Sequence, residues 1–182
     1  MAYSGFARLG GLAAIAGGLL WVVKGGGILL TGEQLPLVFE AAMPLFALGV
    51  LGLHARLGGR AGPLGRVGGF VAYAALTSAV VALMTPLTPF VVVAGFGPFL
   101  GLVLLGGDIL EARVFPSPWS ALPLAMGLGA PILIVVGGAA LAPINERLLE
   151  VPLVLVGLAW MLLGYSMLAI KSASARPPAR VR

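Results

Sequence analysis

The chain has 182 residues, of which 60% are hydrophobic and only 9% are charged, and its mean hydropathy is +1.10. Soluble domains carry about 25% charged residues, so this composition excludes a water-soluble fold and predicts an integral membrane protein. The chain has no cysteine and a single histidine, which excludes disulfides, thiolate chemistry, bis-histidine haem ligation and histidine-rich metal sites. We therefore expect no metal and no cofactor. The net charge of +5 is attributed to membrane topology and not to nucleic acid.

Six segments are apolar enough to cross a bilayer core of about 30 Å, which takes roughly 20 helical residues. They are residues 9–30, 34–53, 67–87, 89–107, 118–141 and 151–170. Because backbone polar groups in lipid must be paired within the segment, each is predicted to be an α-helix. We predict one all-α transmembrane domain over residues 1–170, built as a six-helix bundle of three consecutive antiparallel hairpins, followed by a basic tail over residues 171–182.

The basic residues outside the apolar runs predict the orientation. Of all eleven basic residues of the chain, nine fall on the side shared by both termini and by the loops after spans two and four, namely Arg8, Arg56, Arg60, Arg66, Arg113, Lys171, Arg176, Arg180 and Arg182. The positive-inside rule then places both termini in the cytoplasm and the chain in the inner (plasma) membrane. Arg56, Arg60, Arg66 and the tail are expected to contact anionic lipids of the inner leaflet.

Lys24 and Glu40 are the main candidates for a functional site, because each lies inside an apolar run on either side of the 31–34 turn. In an antiparallel hairpin both would lie at one depth, roughly 11–12 Å below the turn. An isolated charge in a transmembrane helix costs about 2.5–3.5 kcal/mol, which an ion pair offsets. Two interpretations remain open: a pocket that binds an anionic or zwitterionic ligand or relays a proton, and a structural pair or a snorkelling lysine. The glycine run 25–27 favours a break in the helix after Lys24.

Four further side chains are secondary candidates. Trp21 and Tyr73 lie deep within their spans and either line a cavity or pack in the core. Asp108 and Glu111 form a D-x-x-E pattern, which fits either a metal or headgroup site or an aspartate N-cap that begins a short interfacial helix. We favour the N-cap, because the chain has no second acidic cluster to complete a metal site.

The loop before the last span is expected to be a solvated face. It carries Glu146 and Glu150 with Arg147 as a partner, and Asn145 is placed to cap a short turn that leads into the sixth helix. None of these residues is predicted to belong to a site.

Small residues at four-residue spacing predict close helix packing, because helices in lipid associate through backbone contact at such positions. The pattern occurs in the first, fourth and fifth spans, at Gly10, Ala14 and Gly18, at Gly97 and Gly101, and at Ala125 and Gly129. Packing within the chain is the simpler interpretation, and a face for a second copy or a membrane partner is the alternative.

Motifs of several membrane enzymes are missing. Rhomboid-like proteases resemble the chain in span count, but the chain has no G-x-S-x-G serine. CDP-alcohol phosphotransferases need several spaced aspartates, and the chain has one. Thiol–quinone oxidoreductases need cysteine pairs, and the chain has no cysteine. We therefore expect no enzyme. In size, span count and the small-residue stripe of its first helix, the chain is similar to the substrate-binding components of energy-coupling-factor vitamin transporters, which implies binding or passage of a small or lipidic molecule. The alternative is a structural or regulatory subunit of a larger membrane complex.

Overall fold

A computed structural model describes residues 2–85 and 87–169. Within these residues the chain forms helices and no strand. Six helical segments are long and apolar enough to cross a membrane, over Gly5–Thr31, Val38–Arg60, Pro63–Met84, Thr88–Ala112, Trp119–Leu141 and Glu146–Ala169. The predicted class, a multi-pass membrane protein with six apolar helices, is confirmed at this level.

The spans are built from seven α-helices: α1 (Ala2–Thr31), α2 (Val38–Leu57), α3 (Pro63–Met84), α4 (Thr88–Ala112), α5 (Leu122–Ile132), α6 (Gly138–Leu141) and α7 (Val151–Ala169). The fifth span joins α5 to α6 through a π-helical turn at Leu133–Gly137. The sixth span opens with a 3₁₀ turn, Glu146–Glu150, that runs directly into α7.

Two helices are longer than the sequence predicts. α1 passes through the glycine run 25–27 without a break and ends at Thr31, so the predicted interruption after Lys24 is wrong. α4 passes through Asp108 and ends at Ala112, so Asp108 is not an N-cap and no separate interfacial helix begins there. Glycine weakens a helix by only about 1 kcal/mol, which the packing of α1 against two neighbours overcomes.

The first helix holds the bundle together. α1 packs against both α2 and α7, α2 also contacts α3 and α4, and α3 packs on α4. α5 packs mainly against α4, while α7 packs mainly against α1, so the last two spans share little contact with each other. The result is a continuous apolar core with members on α1, α2, α3, α4, α5 and α7.

Glycines at seven-residue spacing set the register between α1 and α7. Gly11 faces the carbonyl oxygen of Gly164, and a Cβ at Gly157 would lie 2.7 Å from the carbonyl oxygen of Gly18. Moving seven residues forward on α1 moves the contact seven residues back on α7, so the helices run antiparallel. Seven residues are close to two helical turns, which keeps the contacts on one face of each helix.

The predicted four-residue stripe divides between two neighbours. Gly10 and Ala14 contact α2, whereas Gly18 contacts α7. In the fifth span Ala125 and Gly129 are both exposed, and a Cβ at Gly129 would meet nothing within 4 Å. The first-helix stripe therefore serves packing within the chain, and the fifth-span pair does not.

Candidate functional site

Lys24 forms its ion pair with Glu150. The Nζ atom lies 3.5 Å from Oε2, and the two side chains are only 13% and 14% exposed. Glu40 is exposed, so of the interpretations left open by the sequence, a structural Lys24–Glu40 pair is wrong. The equal-depth argument fails because α1 extends seven residues beyond Lys24, whereas Glu40 falls in the first turn of α2.

Glu150 reaches Lys24 because of the α1–α7 register. One further seven-residue step from Gly18 brings Gly25 beside the Glu150 backbone, where a Cβ at Gly25 would lie 3.2 Å from the Glu150 carbonyl oxygen. The turn that carries Glu150 is capped by Asn145, whose Oδ1 accepts the Arg147 N–H at 2.9 Å. The predicted Asn145 cap is confirmed, and the prediction that Glu150 is solvated is wrong.

A stacked pair of aromatic rings, Trp21 and Phe39, lies beside Lys24. Lys24 Nζ lies 5.1 Å from the ring centroid of Phe39, within the range of a cation–π interaction. Trp21, one helical turn before Lys24, stacks on Phe39 at 5.4 Å between centroids and 6° between planes. Trp21 is 4% exposed. We call Trp21, Lys24, Phe39 and Glu150 the Lys24 site.

Three more aromatic rings extend the Lys24 site into the bundle. The Phe46 ring meets Trp21 edge-on at 4.9 Å and stacks with Trp160 at 4.4 Å. Phe99 lies 6.5 Å from Trp21 and 6.1 Å from Trp160. The rings come from α1, α2, α4 and α7, so they link the Lys24 site to the central core. Trp160 is fully buried.

Three buried polar atoms of this region have no hydrogen bond to any described residue. They are the indole nitrogens of Trp21 and Trp160 and the Oε2 atom of Glu150. An unpaired buried donor or acceptor costs about 1–3 kcal/mol, so native proteins contain few of them and each calls for an explanation. Oε2 already faces the Lys24 ammonium at 3.5 Å, so the two indole N–H groups are the ones that a polar atom of a guest could satisfy.

Asp108 has a different environment at the far end of α4. Its buried carboxylate accepts the Gly65 N–H at 2.9 Å, in the first turn of α3. Gly62 and Gly65 both lie against the carboxylate, where a Cβ would crowd it. Glu111 is exposed, so the two acids of the D-x-x-E pattern point apart. No group of three or more potential metal-ligating side chains occurs in residues 2–85 and 87–169.

The three loop arginines do not share one environment. Arg56 is half-buried, donates to the Met167 carbonyl oxygen and lies 5.2 Å from the Phe115 ring centroid. Arg60 and Arg66 are exposed. Arg56 thus ties α2 to the end of α7, a role that its position in the sequence does not indicate.

Two remaining predictions have different outcomes. Tyr73 is 59% exposed, so it lies on the surface of the bundle and not beside Lys24. Residues 171–182, the predicted basic tail, lie outside the described part of the chain.

Sequence reasoning missed Glu150 and Phe39; it placed Trp160 deep in its span, where the residue either lines a cavity or packs in the core, without indicating its ring contacts. The signal for Glu150 was present, because residues 150, 157 and 164 repeat at the same spacing as the three glycines of α1 at 11, 18 and 25. Phe39 and Trp160 carry no comparable pattern and become visible only through their ring contacts.

No protein-family model matches the sequence, and no curated protein or solved structure is significantly similar to it. The six apolar spans indicate a multi-pass membrane protein, and the Lys24 site has to be interpreted from its own geometry.

Proposed function

We propose that the protein binds a small or lipidic molecule at the Lys24 site. The observation that carries this proposal is the indole N–H of Trp21, which is buried, has no partner among the described residues and lies one turn from a paired lysine. Ligand sites are typically apolar and aromatic with a few placed polar groups, which is the composition found here.

The role proposed is binding and not catalysis. Lys24 and Glu150 neutralise each other, so neither is free to act as a general acid or base. Glu40, exposed beside Phe39 on α2, is proposed as a peripheral group that a ligand passes.

The membrane arrangement follows from the charges. We place both termini in the cytoplasm of an inner (plasma) membrane, with three consecutive hairpins between them, so that the Lys24 site lies toward the outer side. The basic loops and the tail would then contact anionic lipids. Because the chain lacks cysteine, Glu33→Cys and Arg60→Cys provide single labelling sites: an impermeant maleimide on intact cells should label the first and spare the second. The reverse pattern would overturn the orientation.

Native mass spectrometry from a mild detergent tests the binding role. Wild type should retain a discrete non-protein adduct that Lys24→Met and Glu150→Gln both lose. Glu146→Gln is the matched control, because Glu146 lies in the same turn as Glu150 but is exposed, and it should retain the adduct. A wild-type protein with no adduct, or an adduct that both site variants keep, would overturn the proposal. Loss of the adduct in Glu40→Gln would show that the Glu40 carboxylate on α2 contributes to ligand binding, and retention would show that it does not.

The fifth span supports a second candidate, a subunit that packs against a membrane partner or a second copy. Its Ala125 and Gly129 are exposed on one helix, and small residues at this spacing mediate helix association. In this case the native mass should contain a second chain, and Gly129→Leu should release it. A monomer unaffected by Gly129→Leu would exclude this candidate.

A further inference from the structure

Hydrogen-bond donors outnumber acceptors around the Lys24 site. An indole N–H and a lysine ammonium can only donate. Lys24 faces the carboxylate of Glu150, whereas the Trp21 indole N–H, one turn away, has no partner among the described residues. The Lys24–Glu150 separation of 3.5 Å is longer than the 2.7–2.9 Å of a typical charge-assisted hydrogen bond, so the ammonium retains donor capacity. The group that would complete this region is an acceptor.

The charge of the site is already balanced. Lys24 and Glu150 form a neutral pair with little exposure to solvent. A third charge placed beside them would be uncompensated, and burial of an unpaired charge carries a penalty of several kcal/mol. An anionic acceptor such as a carboxylate would also approach the Glu150 carboxylate. The acceptor that fits is therefore neutral.

The Trp21 and Trp160 indole donors lie at different depths in the bundle. Trp21 lies three residues from Lys24, or roughly 4.5 Å along α1, and Trp160 lies ten residues beyond Glu150, or roughly 15 Å along α7. Both indole rings contact Phe46, so they belong to one continuous aromatic region. A guest that reaches the Trp21 N–H would lie against these rings, so it must be mostly apolar.

We propose that the Lys24 site takes a neutral lipophilic molecule whose carbonyl oxygen accepts the Trp21 indole N–H beside the Lys24–Glu150 pair. This inference rests on the proposed binding function and narrows it. Neutral esters, amides and quinones share this chemistry, while fatty-acid anions and free phosphates do not.

A matched pair of probes tests the carbonyl. The protein is placed in nanodiscs of ether-linked phospholipid, whose chains carry no ester carbonyl, and is titrated at pH 9 with carbonyl-¹³C methyl laurate or carbonyl-¹³C laurate. These probes share the acyl chain and differ in charge. Methyl laurate should give a saturable bound carbonyl resonance, with a Kd at least tenfold lower than that of laurate. In ¹⁵N-indole-labelled wild type, the Trp21 N–H resonance should move on addition of the ester.

Variants assign the donor. Trp21→Phe keeps an aromatic ring and removes the N–H, and it should weaken methyl laurate binding roughly two- to tenfold, the loss expected for one hydrogen bond. Trp119→Phe is the control, because Trp119 lies in a 3₁₀ turn before α5 and takes no part in the site. If Trp21→Phe does not fold, the wild-type indole titration decides alone.

The outcomes separate this inference from the proposed function. Tighter binding of laurate, or ester binding with an unmoved Trp21 resonance or an unchanged affinity in Trp21→Phe, would overturn the neutral carbonyl and leave the binding function intact. Failure of both probes would also overturn it. If wild type in that case retained no adduct sensitive to Lys24→Met, the binding function would fall as well.

Discussion

The two buried carboxylates of this protein are held in opposite ways. Asp108 accepts a backbone N–H from Gly65 at 2.9 Å, in the first turn of α3, where the partial positive charge of the helix terminus also favours an anion. Glu150 faces a flexible side chain, Lys24, at 3.5 Å, and its Oε2 atom has no hydrogen bond. One carboxylate is fully engaged with rigid backbone, and the other is not.

This difference separates structure from binding. A carboxylate bonded to backbone at a helix terminus cannot exchange its partner without disrupting the helix start, so Asp108 fixes α3 against α4. A carboxylate paired with a lysine side chain can adjust when a guest enters, because only rotamers change. An indole donor without a hydrogen-bond partner among the described residues, that of Trp21, also lies one turn from Lys24 and stacks on Phe39.

The largest effect is expected from breaking the Lys24–Glu150 pair. Glu150→Met leaves a buried lysine without its counter-charge and should lower the free energy of unfolding by about 4 kcal/mol. Lys24→Met in the same chain should restore most of that loss, because no unpaired charge remains. Denaturant unfolding of the single and double variants in one detergent measures this coupling.

The control for this cycle is Glu146→Met, in the same turn but exposed, which should change stability by less than about 0.5 kcal/mol. Additive effects of Lys24→Met and Glu150→Met would show that the ion pair contributes nothing, and the contrast between the two carboxylates would then lose its basis.

Asp108→Ala should have the next largest effect, a loss of about 3 kcal/mol. The substitution removes a charged hydrogen bond and leaves the Gly65 N–H without its partner. Thermal unfolding monitored by circular dichroism measures the loss, and Glu111→Ala, exposed and one turn further along α4, should be neutral. Ligand retention should be unchanged in the folded Asp108→Ala protein. A loss of the adduct there would show that the two ends of the bundle are coupled.

The sequence alone predicts the membrane class well, because lipid exposure imposes apolar runs of sufficient length. It does not place Lys24 and Glu40 correctly, since their depths depend on where α1 ends, and α1 runs seven residues past Lys24. It misassigns Asp108 because an aspartate three residues before a glutamate is typical of an N-cap, whereas its true partner, Gly65, is 43 residues away. The spacing of the glycines on α1 and α7 could have predicted the contact between Lys24 and Glu150. No sequence pattern predicts the ring contacts of Trp21 and Trp160.

A smaller effect is expected where α1 meets α7. A Cβ at Gly18 would overlap the Gly157 carbonyl oxygen, so Gly18→Ala should force the helices apart and cost about 2 kcal/mol. Gly26→Ala is the matched control on the same helix, because a Cβ there meets nothing within 4 Å, and higher helix propensity should make it neutral or stabilising.

Because the α1–α7 register also aligns Lys24 with Glu150, Gly18→Ala should weaken ligand retention without touching the site. Equal stability of Gly18→Ala and Gly26→Ala in denaturant would show that the close approach of α1 and α7 does not set this register.

The smallest change in stability is expected for Trp21→Phe. This variant tests most directly whether the Lys24 site and the Asp108 end of the bundle differ in role. Trp21→Phe removes a buried donor that has no partner within residues 2–85 and 87–169. The gain from losing an unsatisfied group therefore offsets the loss of ring contacts, and the ligand-free free energy of unfolding should stay within about 1 kcal/mol of wild type. Added ligand should still separate the two proteins, because ligand stabilises the folded state in proportion to its affinity. Thermal unfolding with and without methyl laurate should show a larger ligand-induced rise in the unfolding midpoint for wild type than for Trp21→Phe.

Asp108→Ala should show the opposite pattern, a lower midpoint with an undiminished ligand-induced rise, because the Asp108 carboxylate is bonded to backbone. If Trp21→Phe instead behaved like Asp108→Ala, Trp21 would be a packing residue and the two ends of the bundle would serve the same structural purpose.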